Sequence, residues 1–304
     1  MDHFQLLLVG AQQIQQQRIA RSTLTNYQNY IRIYEKEIAD IEGAPPPFPI
    51  TSNNIMVFLE KMRSKGSSFG YLKAFVAGLA HYFRENNMVD LTKTYEIYKY
   101  KEGLMRSMKG ESCPNAKEPI TPQMLNDISS IIDQTDRIQV RDMTMYAIMF
   151  YGFLRFRECA ELKRDDIITE VDGKLRIIIR SSKTDKYGEG ESIYILPTGK
   201  SYCAIKWLIQ YIRICEIQSK LLNFNMSNTT FKRRLDRYLS QINIDKEMKC
   251  YAGHSFRRGG AHFASLHGVQ DCNIKAHGRW KSAIYTKYTA VEMIDAGIRV
   301  SGAL

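Results

Sequence analysis

His-Ser-Phe-Arg-Arg-Gly-Gly at residues 254–260 decides how this chain is read. Two further segments, Tyr-Gly-Phe-Leu-Arg-Phe-Arg-Glu at 151–158 and Gly-Arg-Trp-Lys-Ser-Ala-Ile-Tyr-Thr-Lys-Tyr at 278–288, supply the groups it lacks. Taken singly they say little. In a chain with 43 Lys and Arg an isolated arginine is ordinarily a solvated surface charge, and one tyrosine among 18 ordinarily packs in a core or at its rim. Their ordered conjunction points to phosphate chemistry. Planar guanidinium groups hold two oxygens of a phosphate in fixed geometry and stay charged at any working pH. A phenol titrates near pH ~10, so it attacks only where its surroundings stabilise the anion or a neighbour takes its proton.

Outward from these segments the pattern is mainly helical. Met143–Leu154 is apolar almost throughout, which predicts a buried helix delivering Arg155 at its end. Lys183 lies in Arg-Ser-Ser-Lys-Thr-Asp-Lys-Tyr-Gly, a turn between the strand-like segments Leu175–Ile179 and Ser192–Leu196. Tyr202–Ile217 and Thr229–Ile242 read as helices. In the second, Phe231, Leu235, Tyr238 and Leu239 form an apolar stripe and leave Lys232, Arg233 and Arg237 for solvent or phosphate.

Towards the N-terminus, Leu24, Tyr27, Ile31 and Tyr34 keep helical spacing, with Ser22 or Thr23 as caps, and Pro45–Pro47 breaks the chain. Thr51 or Ser52 caps a second helix through Ile55, Phe58, Leu59 and Met62. Ser67 or Ser68 opens a third through Tyr71, Leu72, Phe75, Leu79 and Tyr82, and Leu91–Met108 makes a fourth. Gly110, Ser112, Pro114 and Pro119 mark a linker, so a helical domain is expected over 1–112 and a second domain over 113–304. Thr121-Pro-Gln-Met reads as a helix start with proline at its first position.

Composition bounds the partners. The 304 residues suffice for two domains, and 43 basic against 32 acidic side chains leave a net charge of +11, suited to a polyanion. Residues 116–304 carry most of that excess, 29 basic against 21 acidic, and they also hold the three segments. The cysteines at 113, 159, 203, 215, 250 and 272 show no paired spacing, so neither a metal ribbon nor a secreted disulfide framework is expected. The histidines, His262, His267 and His277 among them, form no metal-ligand motif. No apolar run approaches the ~18 residues needed to span a membrane. Phe4–Ala11 is short and lacks a basic flank, so a signal peptide is not expected.

Together the three segments resemble the tyrosine recombinase (phage integrase) family. The resemblance implies a mainly α fold with a small β-hairpin or sheet, arranged as a two-domain clamp: an N-terminal helical core-binding domain and a catalytic domain with a C-terminal tail. It makes Arg155 the first clamp arginine, in Arg-x-x-Glu, with Glu158 as its brace and Arg157 as rival. His254 and Arg257 match His-x-x-Arg, the histidine moving a proton or binding phosphate and the arginine completing the clamp; Arg258 is one register out. A lysine on the hairpin protonates the leaving 5′-oxygen, which points to Lys183 or, in another register of the turn, Lys186. Tyr288 is the nucleophile, with Tyr285 competing.

The last segment departs from the common pattern. Most relatives have Gly-His before the tyrosine, whereas here Gly278-Arg279-Trp280 puts tryptophan in the phosphate-contacting place, one residue nearer the tyrosine. Gly-Arg-Trp followed by Lys-Ser resembles the eukaryotic Crypton-type transposon recombinases. Indole has one donor and no exchangeable proton at neutral pH, so Trp280 can bond a phosphate oxygen or pack but cannot act as acid or base; His277 is the alternative.

The implied activity is cleavage and rejoining of duplex DNA through a 3′-phosphotyrosyl intermediate, in DNA integration, transposition or other site-specific recombination. That chemistry conserves the phosphodiester energy and calls for no nucleotide, metal or other cofactor. The expected partners are double-stranded DNA and further copies of the chain, as a dimer or tetramer on paired sites; Thr289–Leu304, with Val291, Met293, Ile294, Ile298 and Val300, either joins protomers or packs on its own subunit. The expected compartment is the nucleus in a eukaryote and the cytoplasm in a prokaryote. Two alternatives stay open: a type IB topoisomerase-like enzyme, and a domesticated sequence-specific DNA-binding protein with a dead site.

Overall fold

The structure, a computed structural model, describes residues 3–109, 117–180, 182, 189–215, 224, 226–244 and 250–286. The chain divides into two compact units, Met1–Asn115 and Ala116–Leu304. The described residues form twelve α-helices and one three-stranded sheet, with short 3-10 turns between them.

The first unit is all helical: α1 (His3–Gln16), α2 (Arg21–Ala39), α3 (Ser52–Ser64), α4 (Phe69–Glu85) and α5 (Tyr95–Ser107). Thr51 and Ser68 cap α3 and α4 by accepting the N–H groups of Asn54 and Tyr71. Helix α2 begins earlier than expected, with Ala20 at the cap position, so neither Ser22 nor Thr23 caps it. Leu91–Met108 is not one helix, because a tight turn at Leu91–Lys93 precedes α5. There the carboxylate of Asp90 takes the Thr92 N–H, and the Thr94 hydroxyl bonds the carbonyl of Leu91. Tyr34, Ile38, Ile55, Phe58, Leu59, Phe75 and Leu79 form the core. The Phe4–Ala11 stretch lies in α1, whose Phe4, Leu6, Leu7 and Ile14 are exposed.

In the second unit α6 (Pro122–Ile131) starts on proline, with the Thr121 hydroxyl accepting the Met124 N–H. Helix α7 (Arg137–Tyr151) follows, then α8 (Phe156–Ala160) and strands β1 (Ile167–Thr169), β2 (Leu175–Ile179) and β3 (Glu191–Ile195). The strands pair antiparallel in the order β1-β2-β3, with Leu175 opposite Ile195 and Ile179 opposite Glu191. Leu175, Ile177 and Ile179 alternate into the core, as a half-buried strand requires. Helices α9 (Ala204–Ile214), α10 (Asn228–Gln241), α11 (Gly253–Leu266) and α12 (Asp271–His277) complete the unit, before a last turn at Ala283–Tyr285. Among the described residues no helix is long and apolar enough to cross a membrane.

Helix α7 is the spine. From Asp142 to Phe150 every residue is buried, and α9 and α11 pack against it. Burying Asp142 is tolerable because its carboxylate takes bonds from Arg234 Nε, from the Tyr238 hydroxyl at 3.0 Å and from Arg141 at 3.2 Å, which pins α10 to α7. The other side of α7 meets α11 through glycine. A Cβ on Gly260 would lie 2.2 Å from the Phe150 carbonyl oxygen, and one on Gly259 2.0 Å from that of Ile120. No larger residue permits this approach. Gly260→Ala is expected to destabilise the fold by about 1–3 kcal/mol through overpacking against backbone. Scanning calorimetry checks this, and an unshifted thermal midpoint would show that the helices are not so closely packed.

Candidate active site

Arg155 immediately precedes α8, where the chain leaves the apolar α7 through Gly152, Phe153 and Leu154. Its backbone N–H donates to Glu158 Oε2 at 2.9 Å, and its Nη1 to Glu158 Oε1 at 2.5 Å. Arg157, the rival in this segment, is exposed. Glu158 is only 7% exposed and receives a third bond, from Arg279 Nη2 at 2.6 Å. One buried carboxylate thus holds two arginines from segments more than a hundred residues apart.

Arg257 is fully buried in α11. Its Nη1 donates to the Phe153 carbonyl at 2.6 Å and its Nη2 to the Gly278 carbonyl. Its Cζ lies over the Trp280 ring, 4.3 Å from the ring centroid, a cation–π arrangement. Trp280 also packs with Phe153, Ala261 and Ile274, so the structure shows its packing role. Gly278 has to be glycine, because a Cβ there would fall 1.7 Å from the Trp280 ring. Phe153 and Arg279 adopt left-handed backbone, φ 47° and 57°, an unfavourable region for bulky residues that functional sites often hold in place.

His254 opens to solvent at the start of α11. Crowding by protein atoms, then the charges of Arg257, Arg155 and Arg258, hold its imidazole below the ordinary 6.5, so it is neutral at pH 7. His277, the alternative phosphate ligand, donates Nε2–H to the Tyr151 carbonyl at 2.8 Å, and burial keeps it neutral too. Arg258 bonds the Lys117 carbonyl and so ties down the start of the unit. Tyr285 lies against Trp280, with ring centroids 6.2 Å apart. Lys232, Arg233 and Arg237 are exposed on α10, while Arg234 between them turns inward to Asp142. Lys183, Lys186, Tyr288 and the tail 289–304 lie outside the described residues. At the end of β2, Arg180 pairs with the buried carboxylate of Asp166.

Two partnerships escaped the sequence reading. Arg279 stands out in sequence only as part of the Gly-Arg-Trp signature, and nothing local ties it to Glu158. Asp142 and Arg234 look like ordinary surface charges until the helices are assembled.

No protein-family model matches the sequence. Solved structures match most of it. The Tn1549 transposon integrase in complex with a circular intermediate DNA superposes with a TM-score of 0.66 at 15% identity, over 97% of this chain and 98% of that one. A post-cleavage complex of the XerH site-specific recombinase on palindromic difH substrate gives 0.63 at 14% identity, over 90% and 78%. The lambda integrase dimer bound to a COC′ core site gives 0.62 at 16%, over 95% and 77%. The fold is that of a tyrosine recombinase. An integrase/recombinase xerD homolog from Selenomonas ruminantium is 25% identical over 178 residues, 55% of this chain and 51% of that protein. This sequence relative and the fold agree. The chain spans about half the length of this curated relative.

Within this tyrosine-recombinase fold the Glu158 carboxylate governs the charge balance. Burial pushes its pKa up, but the charge of Arg279, then the N–H and charge of Arg155, outweigh that and hold it below the ordinary 4.5. A depressed carboxyl stabilises the fold above its unfolded value and loses that contribution as pH falls through its folded value. Glu158→Gln leaves the buried Arg279 and the partly exposed Arg155 without this shared counter-charge. It is expected to cost about 3–5 kcal/mol at pH 7. The gap to wild type should narrow progressively below pH 4.5. Urea titrations at several pH values test this; a gap independent of pH would show that the ionised pair contributes nothing.

Proposed function

We propose that this chain is a site-specific DNA recombinase or transposon integrase that cleaves and rejoins duplex DNA through a 3′-phosphotyrosyl intermediate. The observation that carries the reading is the convergence of the three segments: Arg257 bonds the backbone two residues before Arg155, and Glu158 joins Arg155 to Arg279. The relatives named above are integrases and recombinases, three of them seen with DNA. The Gly278-Arg279-Trp280 signature further suggests a Crypton-type transposon enzyme.

In this mechanism Tyr288 attacks the scissile phosphate, and the developing phosphorane gathers negative charge that Arg155 and Arg257 stabilise. Neutral His254 accepts or relays a proton, and Lys183 protonates the departing 5′-oxygen. Resealing reverses the steps with a new 5′-hydroxyl. Arg257 is wholly buried, so contact with a phosphate calls for an opening of the chain around it. The order of the motif favours Tyr288 as the nucleophile over Tyr285, which packs against Trp280. Lys232, Arg233 and Arg237 supply phosphate contacts outside the reacting centre. Self-association on paired sites, with the tail joining protomers, completes the reading.

A nicked suicide duplex should trap the protein covalently on the DNA 3′ end in EDTA, with the adduct mapping to Tyr288. Tyr288→Phe should abolish trapping while binding survives. A map to Tyr285 would reassign the nucleophile, and DNA binding without any adduct would favour a dead-site binding protein. Arg257→Ala should slow single-turnover cleavage by about 10²-fold or more at saturating DNA, as for removal of one preorganised oxyanion donor.

The depressed His254 pKa sets a pH dependence. Its neutral form is the proton acceptor, so the cleavage rate should hold near pH 7 and fall as pH drops below 6.5 and the imidazole charges. His254→Gln should lower the rate and remove that acid limb. A wild-type rate that rises on acidification would contradict the assigned role.

A further inference from the structure

Arg279 has no role in the mechanism so far, yet it is one of the most constrained cations in the fold. It is 7% exposed, its backbone is left-handed, and its Nη2 donates to Glu158, while among the described residues Nη1 and Nε are buried without hydrogen-bond partners. Among the described residues a second carboxylate, Glu191 at the start of β3, stands 3.7 Å from Nε, within ion-pair range but beyond hydrogen-bond distance. Burial lowers the Arg279 pKa, and Glu158 offsets that only in part. A left-handed, nearly buried arginine with two unmet donors is costly, so its position calls for an explanation.

Charge accounting supplies one. Arg155 and Glu158 alone form a neutral pair, and a phosphate approaching Arg155 would face a carboxylate on the same helical turn. Arg279 bonds the carboxylate oxygen that accepts the Arg155 backbone N–H, leaving Arg155 Nη1 on the other oxygen. The three groups then sum to one positive charge, which the half-exposed Glu191 beside Arg279 offsets only through solvent. Their geometry also frees Arg155: with Glu158 anchored by Arg279, Nη1 can leave Oε1 for a phosphate oxygen without stranding a buried anion.

We infer that Arg279 is a positioning residue whose charge neutralises Glu158, so that the Arg155 cation remains available to the scissile phosphate. This rests on the recombinase reading above. It also separates the members of the Gly278-Arg279-Trp280 signature. Gly278 and Trp280 shape and cover Arg257, while Arg279 sets the charge at Arg155, so the signature serves both arginines of the clamp.

The test is single-turnover cleavage of a nicked suicide duplex at saturating DNA, with DNA affinity measured separately and thermal melting of each variant as the folding control. Arg279→Gln should slow cleavage by about 10²-fold while changing DNA affinity far less. Arg279→Lys, which keeps the charge, should recover most of that loss. The double variant Arg279→Gln/Glu158→Gln removes both the cation and the anion it neutralises, so it should cleave faster than Arg279→Gln alone. Wild-type rates in Arg279→Gln, a folded Arg279→Lys as slow as Arg279→Gln, or a folded double variant no faster than the single one would each overturn the assignment. If Arg279→Gln does not fold, the lysine and double variants carry the test against wild type. Absence of an adduct with the wild-type protein would instead remove the recombinase reading itself, and the assignment with it.

Discussion

The buried guanidinium of Arg257 is the constraint on which the site depends. An ion withdrawn from water is costly, and the cost falls as donors find acceptors and the charge is screened. Here the carbonyls of Phe153 and Gly278 accept from it and the face of Trp280 covers it. Those acceptors come from the exit of α7 and the end of α12. The arginine therefore fixes where both segments run, and with them the positions of Arg155 and Arg279. The demands propagate outward. Phe153 is left-handed, Gly278 has no room for a Cβ beside the indole, and Gly260 lets α11 lie against the last turn of α7.

Two of the buried carboxylates in the second unit are compensated in different ways. Around Asp142 one carboxylate sits among Arg234, Arg141 and Tyr238, locking α10 onto the spine. Burial nevertheless raises the Asp142 pKa, so this cluster acts chiefly as a geometric pin. Around Glu158 two arginines compensate burial strongly enough to lower the carboxyl pKa, and the Arg155 side chain keeps 26% exposure where Glu158 keeps 4%. A carboxylate that is fully enclosed beside a cation that is not describes a site able to exchange partners.

Much of this was legible in the chain. The apolar run ending near Leu154 predicted the buried helix and the delivery of Arg155, and alternation over Leu175–Ile179 predicted a strand. The apolar stripe on α10 correctly left Lys232, Arg233 and Arg237 outside. Boundaries were less faithful where backbone competition decides them. The Asp90 side chain and a tight turn interrupt what periodicity alone continues, and α2 starts without the expected hydroxyl cap. Strand β1, three residues long, is too short to carry a periodic signal.

By itself, the sequence determined which residues are chemically able to hold a phosphate, and in what order they occur, because guanidinium, imidazole and phenol carry their properties wherever they sit. It also determined the helical character of most segments, since an apolar face at helical spacing is a local property. Only the tertiary structure decided which cations meet which anions. Arg234 and its neighbour Arg233 are the same residue type one position apart, yet the helix turns one toward Asp142 and the other to solvent. Arg279 meets Glu158 across 121 residues. Such pairings depend on how helices pack around α7, and packing is a property of the whole core that no local spacing contains.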